Sequence, residues 1–280
     1  MKAQHLESEF RTEDNLTLYT QSWVQTDTSK GAVVLVHGYG EHCGRYTLVI
    51  DCLLEEGYSV YTYDHRGHGK SEGLRAYVPR FEKLIDDLEI YLALVGQKED
   101  KIFLLGHSMG GGVVAQYAGT RKPPVSGIIL SSASLKLPQS FALPIRLANR
   151  LSSMLLPWVH IPDFIYKMDN GALSHREEVI RDYEQDPFVY HGRVMNRTGW
   201  EMNRSMQNMP KIMGNVSLPM LIIHGDEDRI THPDGSRMLY EKAVSTDKQL
   251  KIFPGGYHEL FNDRCSSEAI DTVLEWLKAR

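Results

Sequence analysis

The chain of 280 residues is 42% hydrophobic and 24% charged, with 23 glycines and 12 prolines. This ordinary globular composition excludes a disordered tail, a collagen-like repeat and a coiled coil. The 36 acidic and 31 basic residues give a net charge of -5 and are spread without a basic block, which excludes nucleic acid as a partner. The length fits one large domain with extra elements better than two separate domains.

The N-terminal residues lack the apolar run of a secretory signal, and no stretch approaches the roughly 18 apolar residues of a membrane span. The sequence therefore predicts a soluble, cytoplasmic protein. An amphipathic surface element would still permit peripheral contact with a membrane or micelle. The three cysteines are an odd number without a C-x-x-C pair, so we expect reduced thiols rather than disulfides or a zinc site.

The chain begins with two runs typical of β-strands, Leu6–Thr12 and Leu16–Val24, which predict an antiparallel hairpin. The next run, AVVLVHG at 32–38, is apolar throughout, as in a parallel strand that is covered on both faces. Strands and helices then alternate. Further strands are predicted at 58–64, 101–106, 125–132, 219–225 and 248–254, and helices at 44–56, 81–95, 108–119, 233–243 and 266–278. This alternation predicts a mostly parallel, doubly wound α/β sheet with right-handed crossovers.

One interval breaks the alternation. Residues 133–215 contain helix-like segments but no convincing buried strand, and they are too many for a loop in a compact domain. We expect a helical cap insertion there, between two parts of one core at 1–132 and 216–280.

The insertion contains two apolar stripes at helical spacing. The first consists of Leu143, Leu147, Leu151, Met154 and Leu155. The second consists of Met195, Met202, Met206, Met209 and Met213. Pro210 is expected to interrupt the helix that carries the second stripe.

The strongest chemical signal is Gly106-His107-Ser108-Met109-Gly110, which joins a predicted strand to a predicted helix. It satisfies G-x-S-x-G in the strand-turn-helix context that gives this motif its meaning. Two glycines remove side chains that would clash on so sharp a turn, and the helix N-terminus favours a nucleophilic oxygen. Ser108 is therefore the predicted nucleophile. The adjacent His107 projects in another direction and is expected to be a buried structural histidine.

A serine nucleophile needs a base, and the base needs an acid that orients it. In folds with this motif the chain order is serine, acid, histidine, with the last two in loops after later strands. His258 meets this rule because it follows the last predicted strand and precedes the last helix. The preceding strand is followed by Asp226, Glu227 and Asp228. Spacing favours Asp228 as the acid and Asp226 as a local cap of the turn, but it leaves Asp226 open as the alternative acid.

The first buried strand ends at His37-Gly38, so that the backbone N–H of Tyr39 can point into the site. Together with the N–H of Met109 it could hold a developing oxyanion. The nearby histidines and acids lack the spacing of metal ligands, and no G-x-G-x-x-G follows the first strand, so neither a metal nor another cofactor is expected. Asp64 and Arg66 are expected to tie neighbouring loops together.

Five motifs are spread along the chain. They are HGYGEHCGRY at His37–Tyr46, YDHRGHGKSEG at Tyr63–Gly73, GHSMGG at 106–111, HGDEDRI at His224–Ile230 and GGYHEL around His258. Together they resemble the monoacylglycerol lipase and lysophospholipase-like family of serine α/β-hydrolases over nearly the whole chain. GHSMGG alone is common to many α/β-hydrolases, whereas the first two motifs in combination are much more specific.

The resemblance implies the α/β-hydrolase fold and two sets of catalytic groups. The implied triad is Ser108, Asp228 and His258, and the implied oxyanion hole is formed by the N–H groups of Tyr39 and Met109. Three polar side chains are implied at the glycerol end of the pocket, namely Glu41, His42 and Arg45. Tyr39 stands where the family often has a small residue, so its side chain is expected to narrow or reshape the entrance.

The insertion has more apolar surface than a short, solvated helix pair needs. Part of it is expected to pack on the core, and the rest to line a tunnel for an acyl chain. Each buried methylene would contribute roughly 0.8 kcal/mol there. The predicted lining residues are Leu143, Leu147, Leu151 and Met154.

The predicted function is hydrolysis of a lipid-like carboxylic ester, above all a monoacylglycerol, through an acyl-enzyme and without a cofactor. The alternatives within hydrolases are a lysophospholipase and a general carboxylesterase. An acyltransferase with the same triad and a non-hydrolytic small-molecule receptor are alternatives from other classes.

Overall fold

The computed structural model describes residues 3–136, 150–162 and 169–280, and eight strands in those residues form one sheet. The strands are β1 (Ala3–Arg11), β2 (Thr17–Gln25), β3 (Ala32–Val36), β4 (Ser59–Tyr63), β5 (Ile102–His107), β6 (Gly127–Ser131), β7 (Met220–Gly225) and β8 (Lys248–Phe253). Their order across the sheet is β1-β2-β4-β3-β5-β6-β7-β8. The pairs β1–β2 and β2–β4 are antiparallel, and the other pairs are parallel. The predicted hairpin and the mostly parallel sheet are confirmed.

The helices follow the predicted alternation. They are α1 (Thr47–Glu55), α2 (Phe81–Val95), α3 (Met109–Thr120), α4 with its described residues 150–155, α5 (Glu177–Gln185), α6 (Asn196–Ile212), α7 (Pro233–Lys242) and α8 (Ser266–Lys278). The helix predicted from residue 44 begins instead as a 3₁₀ turn, Cys43–Tyr46, that leads into α1. Within the described parts of the chain, every helix is too short or too polar to cross a lipid bilayer.

Apolar side chains cover both faces of the sheet. In β3, Val34 and Val36 point into one core, while Val33 and Leu35 point into the other. The first core contains side chains of α2, α3, α6 and α7, and the second contains those of α1 and α8. Because successive residues of a strand face opposite sides, a strand buried on both faces is apolar at every position. This doubly wound arrangement confirms the predicted fold class.

The described residues between β6 and β7 include part of α4 and all of α5 and α6. They contain no strand, only an isolated antiparallel bridge between His160 and Met195. The predicted interruption at Pro210 is wrong, because α6 continues through it to Ile212. A proline removes one backbone hydrogen bond from a helix. Here Met209 and Met213 are fully buried on either side of it, and their packing stabilises the end of the helix.

The topology brings chemically important loops to one edge of the sheet. Because β3, β5, β7 and β8 run parallel, their carboxyl ends lie at the same edge, where ligands bind in open α/β sheets. The loops that follow these strands contain Gly38, Ser108, Asp228 and His258. Residues that are up to 220 positions apart in sequence thereby become neighbours.

Candidate active site

Ser108 occupies the sharp turn between β5 and α3. Its backbone has φ +52° and ψ -118°, a conformation that residues other than glycine rarely adopt. The turn is held on both sides, since the Ser108 N–H donates to the Ser131 carbonyl at 3.0 Å and the Ser108 carbonyl accepts from the Ser134 N–H at 2.9 Å. A strained residue that its surroundings hold so firmly is typical of a functional site.

Glycines allow the backbone to approach closely around this turn. A Cβ atom at Gly106 would lie 2.6 Å from the Gly110 carbonyl oxygen. A Cβ atom at Gly110 would collide with the carbonyl oxygens of Val36 and His37, at the end of β3. The prediction that these two glycines remove clashing side chains is confirmed. Because Gly110 has no side chain, α3 can pack directly against the end of β3.

Two backbone N–H groups lie beside the turn. Met109 begins α3, and the first N–H groups of a helix have no partner within the helix. On the other loop, the His37 Nδ1–H donates to the Gly38 carbonyl at 2.7 Å, while His37 Nε2 accepts from the His65 N–H at 2.9 Å. These bonds fix the plane of the peptide between Gly38 and Tyr39. In a trans peptide the Tyr39 N–H points away from the bonded carbonyl.

His258 and Asp228 are buried and in contact. His258 Nδ1 lies 2.8 Å from Asp228 Oδ2, and the ring of His258 lies 4.8 Å from that of His107, measured between centroids. Since His107 directly precedes Ser108, the histidine from the far end of the chain stands beside the serine turn. Asp226 instead accepts a hydrogen bond at 2.6 Å from the N–H of Gly255, on the loop after β8, and so does not cap its own turn locally as expected. The structure therefore brings Asp228, not Asp226, to the histidine.

The electrostatics of this pair suit a base that is oriented by an acid. Burial opposes the charged form of Asp228, but the charge and hydrogen bond of His258, together with His224, hold the pKa of Asp228 well below its usual range. Burial alone would lower the pKa of His258, yet the carboxylate of Asp228, followed by Glu259 and Glu41, raises that pKa above its ordinary value. Asp228 therefore stays ionised and stabilises a protonated His258.

Two of the three polar residues implied at the glycerol end, Glu41 and Arg45, belong to one network of ion pairs and hydrogen bonds. Arg45 Nη1 donates to Glu41 at 2.9 Å, and both Arg45 Nη atoms donate to Glu259, at 2.6 and 2.9 Å. The Tyr46 hydroxyl donates to Glu41 at 2.5 Å. Burial opposes ionisation of Glu41, but Arg45, His107, His37 and the Tyr46 hydroxyl together outweigh it and lower the pKa of Glu41 to about 2. Arg45 thus connects the loop after β3 to the residue next to His258.

The family described as serine aminopeptidase, S33 matches residues 27–265. The monoacylglycerol lipase of Mycolicibacterium smegmatis is 32% identical over 257 residues, which cover 91% of this chain and 90% of the relative. This chain belongs to the monoacylglycerol lipase-like family of serine α/β-hydrolases. It is therefore an enzyme of the serine hydrolase class, as the motifs predicted.

Solved structures agree with this family. The crystal structure of Paleococcus ferrophilus monoacylglycerol lipase has a TM-score of 0.81 and 31% sequence identity, with 99% of each chain covered. A soluble variant of monoglyceride lipase from Saccharomyces cerevisiae, solved in complex with a substrate analog, has a TM-score of 0.84 and 26% identity. That comparison covers 100% of this chain and 96% of the yeast chain. The predicted α/β-hydrolase fold is confirmed.

In this hydrolase the segment before α5 holds the histidine loop. The Leu173 carbonyl accepts from the Glu259 N–H at 2.8 Å. Asp263, at the other end of the loop, accepts from the backbone N–H groups of His175 at 2.8 Å and Tyr257 at 2.9 Å. Neither Asp263 nor Glu259 is predicted as a functional residue from the sequence. Both follow His258 within five residues, but only the fold reveals their partners.

The residues after α5 approach the opposite loop of the hydrolase. His42 Nε2 lies 2.8 Å from Asp186 Oδ2, and the Tyr190 N–H donates to the Gly40 carbonyl at 2.7 Å. Farther from the turn, Asp64 accepts from the Cys43 and Lys70 N–H groups at 2.8 Å each. Arg66 pairs with Asp87 and Asp14. The prediction that Asp64 and Arg66 tie loops together is confirmed.

The predicted apolar lining is only partly described. Leu143 and Leu147 lie outside the described residues. Leu151 and Met154 lie in α4, with 58% and 62% of their surfaces exposed. The structure thus brings the triad candidates together and leaves these two apolar side chains at the surface.

Proposed function

We propose that this enzyme hydrolyses monoacylglycerols to a fatty acid and glycerol. The observation that carries the proposal is the contact between His258 and Asp228 beside the strained Ser108 turn. The identity of 32% to a monoacylglycerol lipase over nearly the full length of both chains supports the choice of ester.

The first half of the reaction forms an acyl-enzyme. His258 Nε2 takes the proton of Ser108 as the hydroxyl oxygen attacks the ester carbonyl carbon. The tetrahedral oxyanion is stabilised by the N–H groups of Tyr39 and Met109. The protonated His258, stabilised by Asp228, gives its proton to the glycerol oxygen, and the C–O bond breaks.

The second half releases the fatty acid. His258 takes a proton from a water molecule, whose oxygen attacks the acyl carbon of Ser108. The oxyanion forms again in the same place and collapses when His258 returns the proton to the serine oxygen. Asp228 holds the same imidazole tautomer throughout and does not itself become protonated.

The two ends of the substrate would meet different surroundings. Glu41, His42 and Arg45 would brace the glycerol end of the pocket, where charged groups are already paired with one another. The insertion at 133–215 would act as a cap between the core segments 1–132 and 216–280 and bind the acyl chain. Its proposed contacts are Leu143, Leu147, Leu151 and Met154.

The cap would also contact the lipid membrane or micelle that contains the substrate. Between residues 155 and 159 it has a run of exposed apolar side chains, namely Leu155, Leu156, Trp158 and Val159. Large exposed apolar patches mark interaction sites. We place the enzyme in the cytoplasm, in peripheral contact with membranes through this surface. Trp158→Ser should reduce co-sedimentation with phosphatidylcholine vesicles while leaving hydrolysis of a water-soluble short ester intact.

Two measurements test the proposed reaction. Ser108→Ala should lower kcat on monoacylglycerol by about 10⁴-fold to 10⁶-fold, since triad members act as a unit. A fluorophosphonate probe should label the original protein at Ser108, and absence of labelling would favour a non-hydrolytic receptor. Full activity of Ser108→Ala would end the assignment.

A panel of esters tests the substrate. Monoacylglycerols, lysophospholipids and short p-nitrophenyl esters should be compared with one preparation, and monoacylglycerols should have the highest kcat/KM. Preference for lysophospholipids or cleavage of short esters alone would replace the proposed substrate. Transfer of the acyl group to added glycerol or lysolipid in preference to water would identify an acyltransferase.

A further inference from the structure

A second buried histidine contacts the acid of the proposed triad. His224 lies in β7, four residues before Asp228, and its side chain is fully buried. His224 Nε2 is 3.2 Å from Asp228 Oδ2, the same oxygen that His258 Nδ1 approaches at 2.8 Å. Asp228 is thus held between two imidazoles, and the reaction described above uses only one of them.

The surroundings of His224 decide which of its nitrogens carries the hydrogen. Its Nε2 faces two acceptors, the Asp228 carboxylate and the Thr231 carbonyl oxygen at 3.3 Å, so Nε2 must be protonated. Its Nδ1 lies 2.7 Å from Ser236 Oγ in α7, where both groups are buried. The Ser236 hydroxyl therefore donates to Nδ1 and holds this tautomer.

The contact of His224 with Asp228 adds to the hydrogen bonds that the carboxylate already accepts. Oδ1 of Asp228 accepts from the N–H groups of Ile230 and Thr231, at 2.8 and 2.9 Å. The Thr231 hydroxyl lies 2.8 Å from Oδ2 but also 2.9 Å from the Ser132 carbonyl, and its single hydrogen serves one acceptor at a time. His224 Nε2 is therefore the second ring nitrogen within 3.2 Å of the oxygen that orients His258, and its one hydrogen is shared between that oxygen and the Thr231 carbonyl.

We propose that His224 is a positioning residue, whose Nε2–H fixes the Asp228 carboxylate and limits the negative charge that it presents to His258. This inference rests on the proposed function, because it gives Asp228 the role of triad acid. Without the donor, Asp228 would stabilise protonated His258 more strongly, so that the neutral base would form only at higher pH.

Other charged and titratable groups also face His258. They are His107 at the serine turn, Glu41 on the loop after β3, and Glu259 on the histidine's own loop. Arg45 is bonded to both glutamates. These groups stay in place when only His224 is replaced, so a change in the pH profile can be traced to the His224–Asp228 contact.

The test is a matched pair of substitutions at His224. In His224→Gln the side-chain amide reaches the position of Nε2 and can still donate to Asp228. In His224→Asn the amide reaches only the position of Nδ1, so it keeps the Ser236 contact and loses Asp228. The readouts are kcat and KM against pH, circular dichroism and the melting temperature.

We expect His224→Asn to lower kcat by about 10-fold to 100-fold with little change in KM, as on loss of one hydrogen bond to a charged group. The acid limb of its kcat profile should move up by roughly 0.5 to 1 in pH. His224→Gln should restore most of kcat and the original limb. A merely structural role would lower the melting temperature and leave the limb unmoved.

A folded His224→Asn protein with the kcat and acid limb of the original enzyme would overturn the inference. If this variant does not fold, Ser236→Ala decides, since it keeps His224 but removes the hydroxyl that holds its tautomer. The acid limb should then move up by less, and an unmoved limb would overturn the inference. Failure of the proposed function can be distinguished from failure of this inference. If the proposed function were wrong, Ser108→Ala would keep its activity, independently of the results for the His224 variants.

Discussion

The two halves of the proposed active site are held by different kinds of interaction. The nucleophile half, at Ser108, depends on backbone packed against backbone, with Gly110 lying against the carbonyl groups at the end of β3. The base half, at His258, depends on polar contacts that reach across from other segments, above all through Asp263 and Leu173. Close backbone packing tolerates no added atom, whereas polar contacts can be weakened one at a time. The two halves should therefore fail in different ways.

The largest effect is expected at the acid of the base half. Asp228→Asn should lower kcat by about 10⁴-fold, because an amide no longer holds the imidazole tautomer that accepts the serine proton. The matched control is Asp226→Asn, since Asp226 bonds only the neighbouring turn at Gly255. Steady-state hydrolysis of monoacylglycerol measures both. Loss of activity in the control alone would move the role of acid to Asp226.

Backbone packing in the nucleophile half is tested by adding one methyl group. Gly110→Ala would force α3 away from β3 and should destabilise the fold by about 1–3 kcal/mol. It should also slow fluorophosphonate labelling of Ser108. Gly214→Ala is the control, since the nearest atom to its added methyl would be 3.9 Å away. Equal urea midpoints for the two variants would contradict the close packing at Gly110.

Polar support in the base half is tested at Asp263. Asp263→Asn weakens its charge-assisted bonds to the backbone of His175 and Tyr257, so kcat should fall about 10-fold. The fold should survive, and labelling of Ser108 should slow in proportion to kcat. Asp271→Asn, on the exposed face of α8, is the control. Unchanged kcat in a folded Asp263→Asn protein would mean that the loop is held by its other contacts.

The smallest effect is a shift of the pH profile. Burial lowers the pKa of His258 and nearby carboxylates raise it, so hydrolysis should decline as the pH falls through this pKa and the base becomes protonated. Glu259→Gln removes one negative charge and should move the acid limb of kcat to lower pH by a few tenths. Glu268→Gln, an exposed change on α8, should leave the limb in place. A shift to higher pH in Glu259→Gln would contradict this sign.

The nucleophile half was predictable because its determinants are close together in sequence. G-x-S-x-G, an apolar run before it and small residues after it describe a strand, a turn and a helix within about 20 residues. The base half was predictable only as a set of candidates. His258 followed from chain order, but spacing alone left Asp226 beside Asp228. In the folded chain both contact the loop after β8, Asp226 at the Gly255 N–H and Asp228 at the His258 ring.

Local rules also failed where tertiary packing opposed them. Pro210 is expected to end a helix, yet burial of Met209 and Met213 compensates for the lost backbone bond. From the sequence, His224 is predicted only to be one more residue of a buried, apolar strand. Its neighbours Ser236 and Asp228 lie beyond the end of that strand, so no periodicity in β7 reveals that the side chain is bonded at both nitrogens.

The amino-acid sequence by itself determined the alternation of buried strands and helices, the strained serine turn and the family. These depend on apolar periodicity, on glycine and on short motifs, all of which act over a few residues. Tertiary structure decided which carboxylate meets His258, what holds that histidine's loop and what lies behind the acid. A hydrogen bond depends on distances of about 3 Å between atoms, and only folding sets such distances between residues far apart in the chain.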